Sequence, residues 1–208
     1  MRGVLSKNLE RLLKRRIFPE LEHGRRKFDV PHTKAVVKYG KLLSRKVNVS
    51  EKGRVLLMIA CYCHDWGYSE TFGDEKNSSD YSDVQAAKKS HAEIGARKTS
   101  ELLSEKSFDF LSKSDKGKIV ELVGTHDRLG MAKNLLGTLL FEADVLGAVW
   151  PEGKRPFYGV EANERFLKEE IGREGPLFKT ATGKMLLEKL LRLRADYYAK
   201  KFGKNLEK

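Results

Sequence analysis

An all-α fold, a helical bundle with a C-terminal helical extension, is predicted for this chain by three features. Apolar residues recur at three- and four-residue spacing through most of the 208 residues. Sustained apolar–polar alternation joined by hairpin turns, the mark of strands, is nearly absent. Ser, Pro and Gly sit where the periodic stretches begin and end.

Each element has its own reason. Leu9, Leu12, Leu13 and Ile17 share one face of a helix over 8–17, with Arg and Lys opposite. Pro19, Gly24 and the basic run Arg25, Arg26, Lys27 read as a loop. Pro31 precedes a helix over 32–45, because proline at a helix start gives up an N–H that has no partner there anyway. Ser50 and Gly53 open an apolar helix through Val55, Leu56, Leu57, Ile59 and Ala60. It ends at His64-Asp65-Trp66-Gly67, with Gly67 expected as a left-handed cap. The Ser/Asp/Asn/Gly-rich stretch 69–82 is the expected loop or lid. A long helix over 83–103 carries His91, and a short one lies near Phe108. Ser114-Asp115 is the expected cap of a helix running through Ile119, Val120, Leu122 and Val123 to His126. Helix 132–148 presents Leu135, Leu136, Leu139, Leu140, Val145 and Leu146. After a break at 151–157 come a helix over 160–171, a loop with Gly172, Gly175 and Pro176, and a last helix over 181–201. Thr180 or Thr182 is its expected cap. With no repeat and no shift in composition, the expectation is one domain over 1–208, its core at 25–150 and its extension at 151–208.

A hydrophobic content of 40% is enough for a core without disulfide staples. The pair Cys61 and Cys63 flanks Tyr62 at a helical spacing that turns the two thiols apart, so packing is expected rather than a disulfide or a zinc site. No apolar run nears the roughly 20 residues of a membrane span, and residues 1–7 lack the apolar core of a signal peptide. The expected compartment is the cytoplasm, with no membrane partner. Lys and Arg exceed Asp and Glu by 41 to 29, a net charge of +12 that favours phosphates, nucleotides or nucleic acid as partners.

Four of the five histidines form one ordered series with acids: His32, His64-Asp65, His91, His126-Asp127, then Asp144. Imidazole and carboxylate are the ligands of hard or borderline divalent metals. Placing them at helix ends lets side chains from separate helices meet in one cavity. His64 and Asp65 point about 100° apart on a helix, so they share a site most easily where the helix stops.

These residues resemble the HD superfamily of metal-dependent phosphohydrolases. The segments Pro31-His32-Thr33, Ile59-Ala60-Cys61-Tyr62-Cys63-His64-Asp65-Trp66-Gly67 and Phe141-Glu142-Ala143-Asp144-Val145-Leu146 carry its H…HD…D set. Ser90-His91-Ala92-Glu93-Ile94-Gly95-Ala96 and Gly124-Thr125-His126-Asp127 are similar to the stretches that supply two further histidines in two-metal members. Residues 180–184 and 194–198 look like the C-terminal helix of a little-characterised bacterial and archaeal branch. Where many relatives carry Lys four residues after the motif histidine, this chain has Tyr68.

The resemblance implies an HD-domain helical bundle and an enzyme that hydrolyses a phosphomonoester or phosphodiester, of a nucleotide, with a metal-activated water. It implies His32, His64, Asp65 and Asp144 as ligands of one divalent ion (Mn, Fe, Co, Ni, Zn or Mg). A second ion, held by His91 and His126 and bridged by Asp65, belongs to the two-metal version. His64 and Asp65 lie at the reacting centre. Lys88 and Arg128 are the foremost candidates to neutralise a substrate phosphate, ahead of Lys89 and of His23, Arg25, Arg26 and Lys27. Asp127 is read evenly as an acid orienting an imidazole or as a surface group. The alternatives are a non-catalytic domain binding nucleotide or nucleic acid, and an HD-type nuclease.

Overall fold

The stretch around residues 135–149 is the most apolar of the chain, and it becomes the buried centre of a helical bundle. The computed structural model describes residues 5–25, 28–72, 87–88, 90–128, 134–151 and 159–203. Its helices are α1 (Lys7–Leu21), α2 (Asp29–Lys46), α3 (Glu51–Cys63), α4 (Tyr68–Phe72), α5 (His91–Leu103), α6 (Lys113–Thr125), α7 (Leu135–Val149), α8 (Val160–Arg165) and α9 (Ala181–Phe202). A short 3-10 turn, Lys106–Phe108, buries Phe108, and α8 widens into a π-helical stretch, Phe166–Ile171, before a last turn, Gly172–Glu174. There is no strand among the described residues. No helix there is long and apolar enough to cross a membrane.

The caps follow side-chain chemistry. Ser50 accepts from the Gly53 amide at 3.1 Å, Asn134 from Gly137 at 2.9 Å and Thr180 from Gly183 at 2.9 Å. The cap of α6 lies two residues before the expected Ser114, because Ser112 and Asp115 form a reciprocal capping box. α1 runs past Pro19 to Leu21 instead of stopping near 17. Proline forfeits one ladder bond, but Leu21 continues the buried stripe of Leu13 and Ile17 at four-residue spacing. α2 begins at Asp29, which places Pro31 in its first turn. Residues 68–72, expected as loop, are helical because Tyr68 and Phe72 bury their rings. Residues 172–174, also expected as loop, extend the preceding helix. The rest of the expected lid, positions 83–86 and 132–133 of two expected helices, and the break at 152–157 lie outside the described residues.

α2 and α7 make the most extensive pairing among the described helices, and α3 packs against both. Its residues 56–63 are all buried, so this part of α3 is apolar all round and forms the floor beneath the site. Both cysteines are free and buried there; burial pushes the Cys63 thiol up to about 12, which keeps it unreactive at neutral pH.

The C-terminal segment is tied to this core by buried polar groups. Glu142 of α7 accepts from the Lys179 amide at 2.7 Å, the Thr180 amide at 2.8 Å and the Thr180 hydroxyl at 2.5 Å. Arg194 of α9, only 1% exposed, donates to the Val149 carbonyl at 2.8 Å and to Asn163 Oδ1 at 2.7 Å. The first of these covers a carbonyl that the end of α7 leaves without a helical partner.

Candidate metal centre

Four helix ends deliver the site. His32 sits in the first turn of α2, His64 caps the C-terminus of α3, His91 is the first residue of α5, and His126 caps the C-terminus of α6. Asp144 reaches in from the middle of α7. Asp65 lies in the turn after α3. The turn itself depends on Gly67: a Cβ there would overlap the carbonyl of His91, so glycine lets the turn press on the start of α5. Gly67 has no left-handed backbone, in contrast to the expected cap. Close approach is what the position demands.

The side chains meet in two groups that share one acid. His32 Nε2 lies 3.0 Å from His64 Nε2, 3.0 Å from Asp144 Oδ1 and 3.2 Å from Asp65 Oδ2. His64 Nε2 is 3.3 Å from that same Asp65 oxygen. The other oxygen, Oδ1, is 3.5 Å from both His91 Nε2 and His126 Nε2, and these two nitrogens are 3.3 Å apart. Asp127, weighed evenly in the sequence, converges here too, with Oδ2 at 3.2 Å from His91 Nε2. Asp65 therefore stands between two ligand groups, one oxygen facing each.

The tautomers decide what those distances mean. The Nδ1 atoms of His64, His91 and His126 lie 3.0, 3.1 and 2.7 Å from the carbonyls of Cys61, Lys88 and Val123, each three residues back. A carbonyl only accepts, so each Nδ1 must carry the proton. In its neutral form each Nε2 then presents a lone pair to the cavity. His91 and His126 thus aim two acceptors at each other across 3.3 Å, which is repulsive unless a cation or a proton lies between. Ligand atoms around a divalent ion, each at about 2.0–2.2 Å from it, are themselves roughly 3–3.5 Å apart. The His/Asp set fits such an ion in both groups.

Electrostatics point the same way. Burial opposes charge on His32 and His64, but the neighbouring Asp65 and Asp144 outweigh it and raise both imidazoles, His64 strongly. Burial likewise opposes charge on Asp65 and Asp144. The surrounding imidazoles, with Arg25 in the case of Asp65, hold both carboxyls well below their usual range. His126 is raised against its burial, chiefly by Asp127 and Asp65. His91 goes the other way, to about 4, through burial and the neighbouring His126. The acids thus favour protons on the first group, and a metal competes with those protons for the same nitrogens. Metal affinity is therefore expected to rise as pH rises through and above 6.5, with protons released on binding; calorimetric titration with Mn²⁺ in buffers of differing ionisation enthalpy measures both.

Aromatic and basic groups wall the cavity. The Tyr68 ring stacks on His91 at 4.1 Å and 4°, and Phe28 stacks on His32 at 5.0 Å. The Arg25 guanidinium lies 3.8 Å over Tyr68 and 4.8 Å from Phe28, pairs with Asp29 at 2.6 Å and closes on Asp65. Lys88 lines the same cavity as Asp65 and Asp144, but its ammonium is engaged by Glu170 at 2.6 Å. Arg128 lines a neighbouring cavity of about 220 Å³ that is bordered by His126, Phe141 and Lys179. His23 is exposed at the end of α1. Arg26, Lys27 and Lys89 lie outside the described residues. Sequence reasoning missed Phe28, Glu170 and Glu174, which all line the site. Glu170 and Glu174 come from the π-widened helix after α8, and no motif spacing flags them. Burial lifts the Glu174 carboxyl to about 7, with Lys88 opposing and Glu170 adding to the rise.

Gly147 sets the position of His32. A Cβ at 147 would lie 2.7 Å from Val36 Cγ2 and 3.1 Å from His32 Nδ1. Gly147→Ala is expected to overpack the α2–α7 contact by about 1–3 kcal/mol and to push the imidazole from its place. Thermal melts with and without Mn²⁺ check this: the stabilisation by metal should shrink more than the metal-free stability does.

The HD domain family matches the chain over residues 30–149. The chain belongs to that family, whose members are in general metal-dependent phosphohydrolases, some of them non-catalytic. No curated protein and no solved structure matched the chain.

Proposed function

We propose that the protein hydrolyses a phosphomonoester or phosphodiester of a nucleotide, using two divalent ions held by His32, His64 and Asp144 on one side and His91, His126 and Asp127 on the other, with Asp65 serving both. The observation that carries this reading is the convergence of four imidazole Nε2 atoms on the two oxygens of one carboxylate, three of them with the proton held on Nδ1 by a backbone carbonyl. Bound divalent ions supply Lewis acidity for activating water and countercharge for a phosphoryl group.

The chain's own residues bind and position. Asp29 and Asp65 hold the Arg25 guanidinium in the cavity lining, where its positive charge suits a phosphoryl group. Lys88 adds a second cation that Glu170 keeps in place. The three carbonyl-bonded Nδ1 protons fix the imidazole orientations before substrate arrives. Phe28 and Tyr68 exclude water from one wall, which strengthens these charges.

The test is turnover by the purified protein on nucleoside monophosphates, cyclic nucleotides and p-nitrophenyl phosphate, each with Mn²⁺, Co²⁺, Ni²⁺, Zn²⁺ or Mg²⁺. Hydrolysis that appears only with added metal is the expected result. Failure of every substrate with every metal, in protein that binds metal, overturns the catalytic reading.

A further inference from the structure

The face of α2 turned away from His32 is a row of cations. Lys34, Lys38, Lys41 and Arg45 follow one another at four-, three- and four-residue spacing, which sets all four roughly 180–240° around the helix from His32. Lys34, Lys38 and Arg45 are exposed and Lys41 is half-buried. Together with Lys14 of α1 and Lys46 they rim an open groove whose floor is Val37, Leu42 and Tyr62. Glu10, the one acid among its described lining residues, accepts from Tyr62 at 2.9 Å and pairs with Lys14 at 2.9 Å and with Lys41 at 3.9 Å. The described lining therefore carries six cations and one carboxylate.

Like charges at i,i+4 on a helix destabilise it by about 0.2–0.5 kcal/mol per pair. α2 carries Lys34–Lys38 and Lys41–Arg45 in that arrangement, and the row has no balancing acids on its own helix face. A fold held only for its core would gain by neutralising some of them. The row runs over twelve residues, about 16 Å of helix axis, while each phosphate of one strand advances only about 3.4 Å along a duplex axis. A row of that length is matched to more than one phosphate. An extended groove with a linear row of cations fits a strand backbone better than it fits a single compact phosphate.

We propose that the α1–α2 groove binds the phosphodiester backbone of a nucleic acid, on the opposite side of α2 from the metal centre. This surface does not depend on catalysis at that centre, and its test reads binding alone. The full chain is titrated into fluorescent single-stranded RNA, single-stranded DNA and duplex DNA at 50–200 mM salt. The variant Lys34→Gln/Lys38→Gln/Arg45→Gln is compared with Lys184→Gln/Lys189→Gln/Arg192→Gln, which removes the same charge from exposed positions of α9. Each lost phosphate contact should lower the salt slope by about 0.7 on a single strand and about 0.9 on a duplex. The groove variant is expected to lose about two units of slope and at least tenfold in affinity at 50 mM salt, while the α9 variant keeps the wild-type slope. Equal losses in the two variants, or no salt-dependent binding by wild type to any of the three polymers, overturns the proposal. So does tight binding to phosphatidylserine vesicles in the absence of binding to nucleic acid, since that assigns the groove to a lipid surface.

Discussion

Asp65→Asn is expected to abolish metal-dependent turnover, with a loss of at least about 10³-fold, well beyond the 10–100-fold typical of an outer hydrogen-bonding partner. The reason lies in its position. Its Oδ2 serves His32 and His64, and its Oδ1 serves His91 and His126. Asn keeps the shape but loses the charge and turns one oxygen into an N–H donor, which cannot face a cation. Both ligand groups are damaged by one substitution. Metal content should fall for both ions together, as measured by elemental analysis after gel filtration. The substitution also leaves Arg25 with Asp29 alone and withdraws the carboxylate that raises His64. The metal-free variant should therefore hold fewer protons on its histidines, and its remaining metal affinity should depend less on pH. Retention of both ions and of activity within about tenfold of wild type would show that Asp65 does not bridge.

Glu142→Ala is expected to give the largest loss of stability. Its carboxylate is fully buried and takes two amides and one hydroxyl from the start of α9. It also places a negative charge at a helix N-terminus, where the backbone dipole favours it. Truncation removes that charge and strands two amide donors, at a cost of about 3–4 kcal/mol. For a chain of this size that is a fall in Tm of roughly 6–15 °C. Glu142→Gln keeps an acceptor oxygen and should recover about half of the loss. Urea unfolding of the three proteins, with slopes compared as well as midpoints, separates loss of the α9 dock from global weakening. A Glu142→Ala protein within about 1 kcal/mol of wild type would mean that α9 is held chiefly by Arg194 and its apolar stripe.

What the sequence makes legible is whatever a local pattern carries. The His and Asp positions stand out because each motif places its ligand at a helix end, and helix ends announce themselves through Ser, Asn, Pro and Gly. The helices also follow from period and caps, with shifts of a few residues where burial overrides a breaker, as at Pro19. Other parts rest on encounters between distant segments. Glu142 looks like an ordinary motif filler until α9 arrives over it, and Arg194 looks like one more surface cation until the end of α7 receives it. Gly67 carries the sequence signal of a helix stop, yet its role is to let His91 approach. Lys88 was legible as a basic neighbour of His91, but its partner Glu170 comes from a segment 82 residues away. Pairing of that kind leaves no periodic trace.

The central claim is that divalent ions sit on both sides of the Asp65 carboxylate. The most direct measurement is an anomalous-scattering crystal structure of the protein loaded with Mn²⁺ or Co²⁺. The account predicts two peaks, one among His32, His64, Asp144 and Asp65 Oδ2, the other among His91, His126, Asp127 and Asp65 Oδ1. Density for metal elsewhere on the chain, with these seven side chains left uncoordinated, would contradict it.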